Sequence, residues 1–201
     1  MKKFFILLFF IVILIVFFYF YNNTESFDNS GGIIVIPIKA HLVIDDSGQY
    51  TSYRDEENII GLFGQVNRIW KQSNIYFSLE EVVFTDLSFN AIPQAINSDV
   101  SELVEHKNYD KGKINVFFTQ SLNNINGLAI GGINSALVAD FTTVNDFRTT
   151  AHELGHLLEL RHVEPNNMLM AKGRNGELLI NKEIAVARTN ALEFLQNNGK
   201  K

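Results

Sequence analysis

His152 and His156 stand four residues apart, and His162 follows six later. On a helix, four residues turn the chain through about 400°, so the first two imidazoles project within roughly 40° of each other, one turn apart. Two rings so placed can share one cation. A helix that ran straight on would carry His162 about 9 Å further along its axis, out of reach of the same ion. For three rings to meet, the chain must leave the helix near Glu159 and double back. Glu153 lies about 100° around the helix from His152 and 60° from His156, beside such a centre without joining it. That placement suits a general base acting on a metal-activated water. Three protein nitrogens with an open fourth position form the catalytic rather than the structural pattern for zinc.

The rest of the composition narrows the setting. The chain has 201 residues, no cysteine and a formal net charge of −5. Without cysteine there is no disulfide scaffold, Cys-based zinc finger, iron–sulfur site or thiol nucleophile. No Lys/Arg block is present, so nucleic acid is not an expected partner. Hydrophobic residues make up 46% of the chain, but many sit in the run from Phe4 to Tyr21, behind Lys2 and Lys3. Eighteen helical residues span roughly 27 Å, close to the ~30 Å hydrocarbon core of a bilayer. The run exceeds the about 7–15 residues of a signal-peptide core, and bulky Phe17 to Tyr21 occupy the place of a small-residue cleavage site. The expectation is a single-pass anchor within residues 1–21, contacting the membrane through 4–21, with the remainder outside the cytosol. A cleaved signal and a secreted protein is the alternative. Residues 22–32 read as a flexible tether and 33–201 as one domain; the oligomeric state is open.

Ile33 to Ile44 reads as a strand, with Pro37 suggesting an edge or a bulge. Glu56 to Gln72 shows helical spacing of Ile59, Ile60, Phe63, Val66, Ile69 and Trp70. Further strands are expected at Ile75 to Phe84, at Lys113 to Thr119, and as two short pieces around the glycines within Gly127 to Asp140. Asp99 to His106 reads as a short helix or irregular segment. Thr143-Val144-Asn145-Asp146 matches a capping box opening a helix to about Leu158, and Ile180 to Asn197 reads as a final helix. The class is α/β (α+β).

His152-Glu153-x-x-His156-x-x-Glu159-x-x-His162 resembles the extended zinc signature of the metzincin metalloproteases, and Met168-Leu169-Met170 falls at the matrixin distance for the family's Met-turn. The resemblance implies a twisted mixed sheet of about five strands with an active-site helix and a C-terminal helix, here preceded by an N-terminal transmembrane helix. It implies one catalytic Zn2+ and hydrolysis of peptide bonds in a peptide or protein substrate. It also implies Met170 (second choice Met168) as an apolar floor, and Gly127, Leu128, Ala129 and Ile130 as an edge strand pairing with the extended substrate. Three departures stand out. Glu159 replaces the family's glycine at the turn, where a left-handed non-glycine residue costs roughly 1–2 kcal/mol. Ala171 stands where an aromatic often follows the Met-turn. The ten or so residues between the apolar run and the first strand leave no space for a prodomain, so the usual latency is not expected.

Other readings remain open on the residues alone. Glu177 or Glu183 could replace His162 as third ligand, in a thermolysin-like arrangement. The domain could be a catalytically silent binder of peptides or partners, or a membrane-anchored structural protein without metal. Met168 and Met170 could simply fill the core. His41 and His106 read as ordinary surface or hydrogen-bonded histidines, and Asp110, Lys111 and Lys113 as a solvated turn.

Overall fold

A computed structural model describes residues 31–198. The expected membrane anchor and most of the tether lie outside the described residues, among which no helix is long and apolar enough to cross a membrane. Five strands, β1 (Ile34–Asp45), β2 (Ile75–Leu87), β3 (Ile114–Thr119), β4 (Gly127–Ile130) and β5 (Ser135–Ala139), form one sheet in the order β2-β1-β3-β5-β4. All neighbours are parallel except β4, which runs antiparallel to β5 at the sheet edge. The helices are α1 (Glu56–Trp70), α2 (Ala91–Ile96), α3 (Ser101–Glu105), α4 (Asp146–Leu157) and α5 (Asn181–Asn198).

The sheet forms because β1 puts Ile34, Ile36 and Ile38 on one buried face, while β3 is buried along its whole length. Helix α1 opens with a capping box between Asp55 and Asn58 and buries Ile59, Leu62, Phe63, Val66, Ile69 and Trp70. Its last residue reaches the functional helix: the Trp70 indole N–H donates to the Ala151 carbonyl at 3.2 Å. The polar side of that contact is thereby satisfied while the ring fills the core edge-on to Phe77.

Several local expectations are corrected. Pro37 is neither on an edge strand nor in a bulge of its own strand. It lies where β1 pairs only with β2, since the β3 register begins at Ile38, so its missing N–H removes no bond to β3. The bulge is one strand over: Leu79 faces Ile38 and Glu81 faces Lys39, leaving Glu80 as the extra residue. Lys113 is not in a solvated turn but bridges Glu80 and Glu81 at 3.1 and 2.5 Å. Thr143 does not cap a helix. Its hydroxyl accepts from the Asn126 amide at 2.9 Å, and α4 starts three residues later without a side-chain cap. Helix α2 was not expected, being too short for a periodic signal.

His41 is a fully buried core residue. Nδ1 faces the Thr85 hydroxyl at 2.9 Å, Nε2 faces the Asn115 amide oxygen at 3.0 Å, and the ring stacks on Phe117. Because an amide oxygen only accepts, Nε2 carries the proton and Nδ1 accepts from Thr85. His41 is thus a satisfied neutral group.

The end of α4 decides where the chain goes next. The Leu160 N–H donates to the Gly155 carbonyl at 2.9 Å and the Glu159 N–H to that of His156 at 3.0 Å. This pair of bonds is a Schellman stop, with Glu159 in the left-handed region at φ 63°. The side chain of Glu159 points to solvent while Leu160 is buried behind the turn.

Two outcomes follow from these packing arrangements. Burial pushes the His41 imidazole from 6.5 down to about 4. The unfolded chain therefore takes up a proton that the folded chain refuses, and stability falls as pH drops from about 6.5 to about 4, by about 3 kcal/mol, levelling off below. Urea unfolding at pH 7 and pH 4 should show the native chain losing more than His41→Gln by that amount; equal losses would contradict it. Glu159→Gly should raise the unfolding free energy by about 1 kcal/mol by relieving the left-handed strain. A lower urea midpoint for that variant would show that the turn is not strained.

Candidate metal centre

Helix α4 and the reversal at Glu159 bring three rings to one point. The Nε2 atoms of His152 and His156 lie 3.1 Å apart, those of His152 and His162 3.2 Å, and those of His156 and His162 3.1 Å. His152 Nδ1 donates to the Leu169 carbonyl and His156 Nδ1 to the Leu160 carbonyl, each at 2.8 Å. A carbonyl can only accept, so each of these Nδ1 atoms carries its ring's proton and leaves the Nε2 lone pair free. Three nitrogens each 2.0–2.1 Å from one tetrahedral zinc would lie roughly 3.3–3.4 Å apart. The observed triangle is within a few tenths of an ångström of that, and three neutral imidazoles are a donor set that suits zinc. These are the residues that could hold a metal ion among those described. Burial pushes His152 down to about 3, and burial likewise lowers His162, with the neighbouring cations and rings adding to both. Both shifts favour the neutral ring, the form that ligates a metal.

Glu153 sits on the same helix beneath the edge strand. Burial raises its carboxyl to about 7, partly opposed by the Ala129 N–H that it accepts from and by the charge of Arg148. The approach is close: a Cβ on Gly127 would fall 2.7 Å from Glu153 Cγ and 2.8 Å from Oε1. A side chain there would have to push the Glu153 carboxylate aside, because the strand passes over it. Strand β4 and α4 enclose a cleft of about 610 Å³ that contains all three histidines and Glu153. Gly127, Leu128 and Ala129 line it, whereas Ile130 does not; Leu128 and Ile130 both pack against the core.

Met170 is fully buried against the backbone of α4, between the first two histidines: a Cβ on Gly155 would meet its sulfur at 2.7 Å. Met168 lies away from this contact, pairing with Leu178 in an isolated bridge. The two alternative ligands are engaged elsewhere. Glu177 forms a two-pronged bond with Arg68 at 2.9 and 3.0 Å, and Glu183 accepts from the Ile180 N–H at the start of α5. Among the described residues His162, and neither glutamate, completes the cluster.

Residues that sequence reasoning did not single out also shape the cleft. The carbonyls of Leu160 and Leu169, which aim two rings, have no side-chain signature. Arg148 does have one, since it precedes His152 by four residues and so shares its helix stripe with His152 and His156. It is buried and donates to the carbonyls of Leu169 (2.5 Å), Ala171 and Gly176 (3.3 Å), tying the segment after His162 to α4. Leu169 thus accepts from both Arg148 and His152.

The fold is shared with solved structures. Mature mirolysin of Tannerella forsythia, in complex with a cleaved peptide, superposes with a TM-score of 0.61 over 85% of this chain and 98% of that one, at 13% identity. Archaemetzincin of Methanopyrus kandleri gives 0.55 over 81% and 98%, also at 13% identity. At such identities the likeness is one of fold. No curated protein matches in sequence. The family model described as metallo-peptidase family M12 matches residues 38–177, spanning the sheet, the three histidines and the segment behind them. The chain belongs to metallo-peptidase family M12.

Proposed function

We propose that the chain is a zinc-dependent endopeptidase of the metzincin kind, with His152, His156 and His162 as ligands and Glu153 as general base. The observation that carries this reading is the convergence of three Nε2 atoms within 3.1–3.2 Å beside a buried carboxylate, in a cleft roofed by an open strand edge. When bound, zinc would polarise the scissile carbonyl and acidify a water. The chain's own groups do the rest. Glu153, with a carboxyl near 7, accepts the proton of the attacking water and delivers it to the leaving amine nitrogen. The outer edge of β4, apart from the Ala129 N–H that Glu153 accepts from, offers its remaining main-chain groups to an extended peptide as a further strand. Met170 holds the helix from below, and the carbonyls of Leu160 and Leu169 keep two rings aimed. A domain over 33–201, on a tether over 22–32 and held outside the cytosol by an anchor at 4–21, completes the proposal.

Glu153→Gln should bind one equivalent of zinc as tightly as the native chain while losing at least about 100-fold in peptide hydrolysis. Metal analysis together with digestion of a broad peptide library checks both halves. Full hydrolysis by the variant would remove the role given to Glu153, and bound zinc with no cleavage by the native chain would favour the silent binder. Stripping the metal with a chelator should abolish cleavage, and added zinc should restore it.

A further inference from the structure

Arg148 is 3% exposed, yet it lines the cleft beside His152 and Glu153. Its Nε and Nη2 donate only to main-chain carbonyls, and Nη1 has no partner among the described residues. No carboxylate lies within ion-pair distance of the guanidinium among those residues either. Glu153 acts on the guanidinium only from beyond ion-pair distance, so this buried cation has carbonyl dipoles and a remote carboxylate but no anion in contact, a costly arrangement that a directly pairing anion would relieve. A second cation, Lys172, which has no ion pair among the described residues, lines the same cleft from the loop behind the histidines. The other polar side chains lining it away from the metal centre, Asn124, Asn126 and Thr143, are neutral.

We propose that this cleft selects peptides carrying an acidic side chain next to the scissile bond, with Arg148 Nη1, where the otherwise buried guanidinium meets the cleft, as the anchor and Lys172 as the rim charge. The proposal rests on the peptidase reading and adds the class of substrate to it. A carboxylate would give Arg148 the charge-assisted partner it lacks. A basic side chain meets the opposite situation. The carbonyls of Leu169, Ala171 and Gly176, which could otherwise receive it, are already occupied by Arg148, and two positive charges repel it. An aliphatic side chain could enter, but would leave Nη1 buried without a partner.

The test uses the zinc-loaded full chain and a pool of peptides of randomised sequence, read by mass spectrometry. Asp and Glu should be enriched at one position flanking the cleaved bonds. For the best substrate, replacing that residue by its amide should lower kcat/KM at least about tenfold, and replacing it by Lys further. Lys172→Glu, an exposed change that leaves the Arg148 clamp intact, should cut the acid-to-amide ratio by about fivefold or more and raise cleavage of the Lys peptide. Cleavage with no acidic enrichment, or an acid-to-amide ratio within twofold, overturns the proposal and leaves the peptidase reading standing. If nothing is cleaved the peptidase reading falls, and capture from the same pool by the Glu153→Gln chain decides the pocket alone. Enrichment of acidic peptides supports it and unbiased capture rejects it.

Discussion

The centre depends on one backbone reversal. Helix α4 can place two imidazoles on one face, but only a chain that stops at Leu158 and turns left-handed at Glu159 can return the third. The two bonds that close the stop run from Leu160 and Glu159 back to Gly155 and His156. Leu160 then does two things: its side chain seals the turn, and its carbonyl orients His156. The strain at Glu159 is thus set against a satisfied helix end, a buried leucine and a fixed ring. Geometry, rather than the identity of the turn residue, is what the three rings require.

A second set of contacts makes the centre part of the fold. The Leu169 carbonyl accepts from His152 and from Arg148, so the segment behind His162 is held against α4 where the first ring is aimed. Gly155 leaves the space into which the Met170 sulfur packs, and Gly127 leaves the space for Glu153. Two glycines therefore bring a strand and a loop close against the same helix, from above and below. Trp70 bonds that helix to α1 through Ala151. The histidines sit on an element gripped from several sides, as a site that must hold its geometry through a reaction needs.

Much of this was legible from residue types and spacing, and the rest fails for identifiable reasons. The i, i+4 pair of histidines and the glutamate between them are properties of helix periodicity, so His152, Glu153 and His156 could be placed on one helix from the sequence. His162 needs a turn that no glycine announces, and nothing local to Glu177 or Glu183 announces that they bond to Arg68 and to the Ile180 N–H. The strand at 127–130 was expected from its residues. That a side chain at 127 would displace the Glu153 carboxylate beneath it is a tertiary contact without a local signal. Thr143 misled because its hydroxyl is taken by Asn126 across the cleft mouth rather than by the backbone of α4. Pro37 marks no edge strand: a proline is tolerated within β1 there because the β3 pairing begins one residue later.

Zinc-edge X-ray absorption on the metal-loaded full chain reaches the heart of this account. Three imidazole nitrogen neighbours at about 2.0–2.1 Å and one oxygen neighbour are predicted, with one imidazole lost in His162→Ala. A shell of two nitrogens in the native chain, or one unchanged by that substitution, would mean that the returning chain does not deliver its ring to the metal.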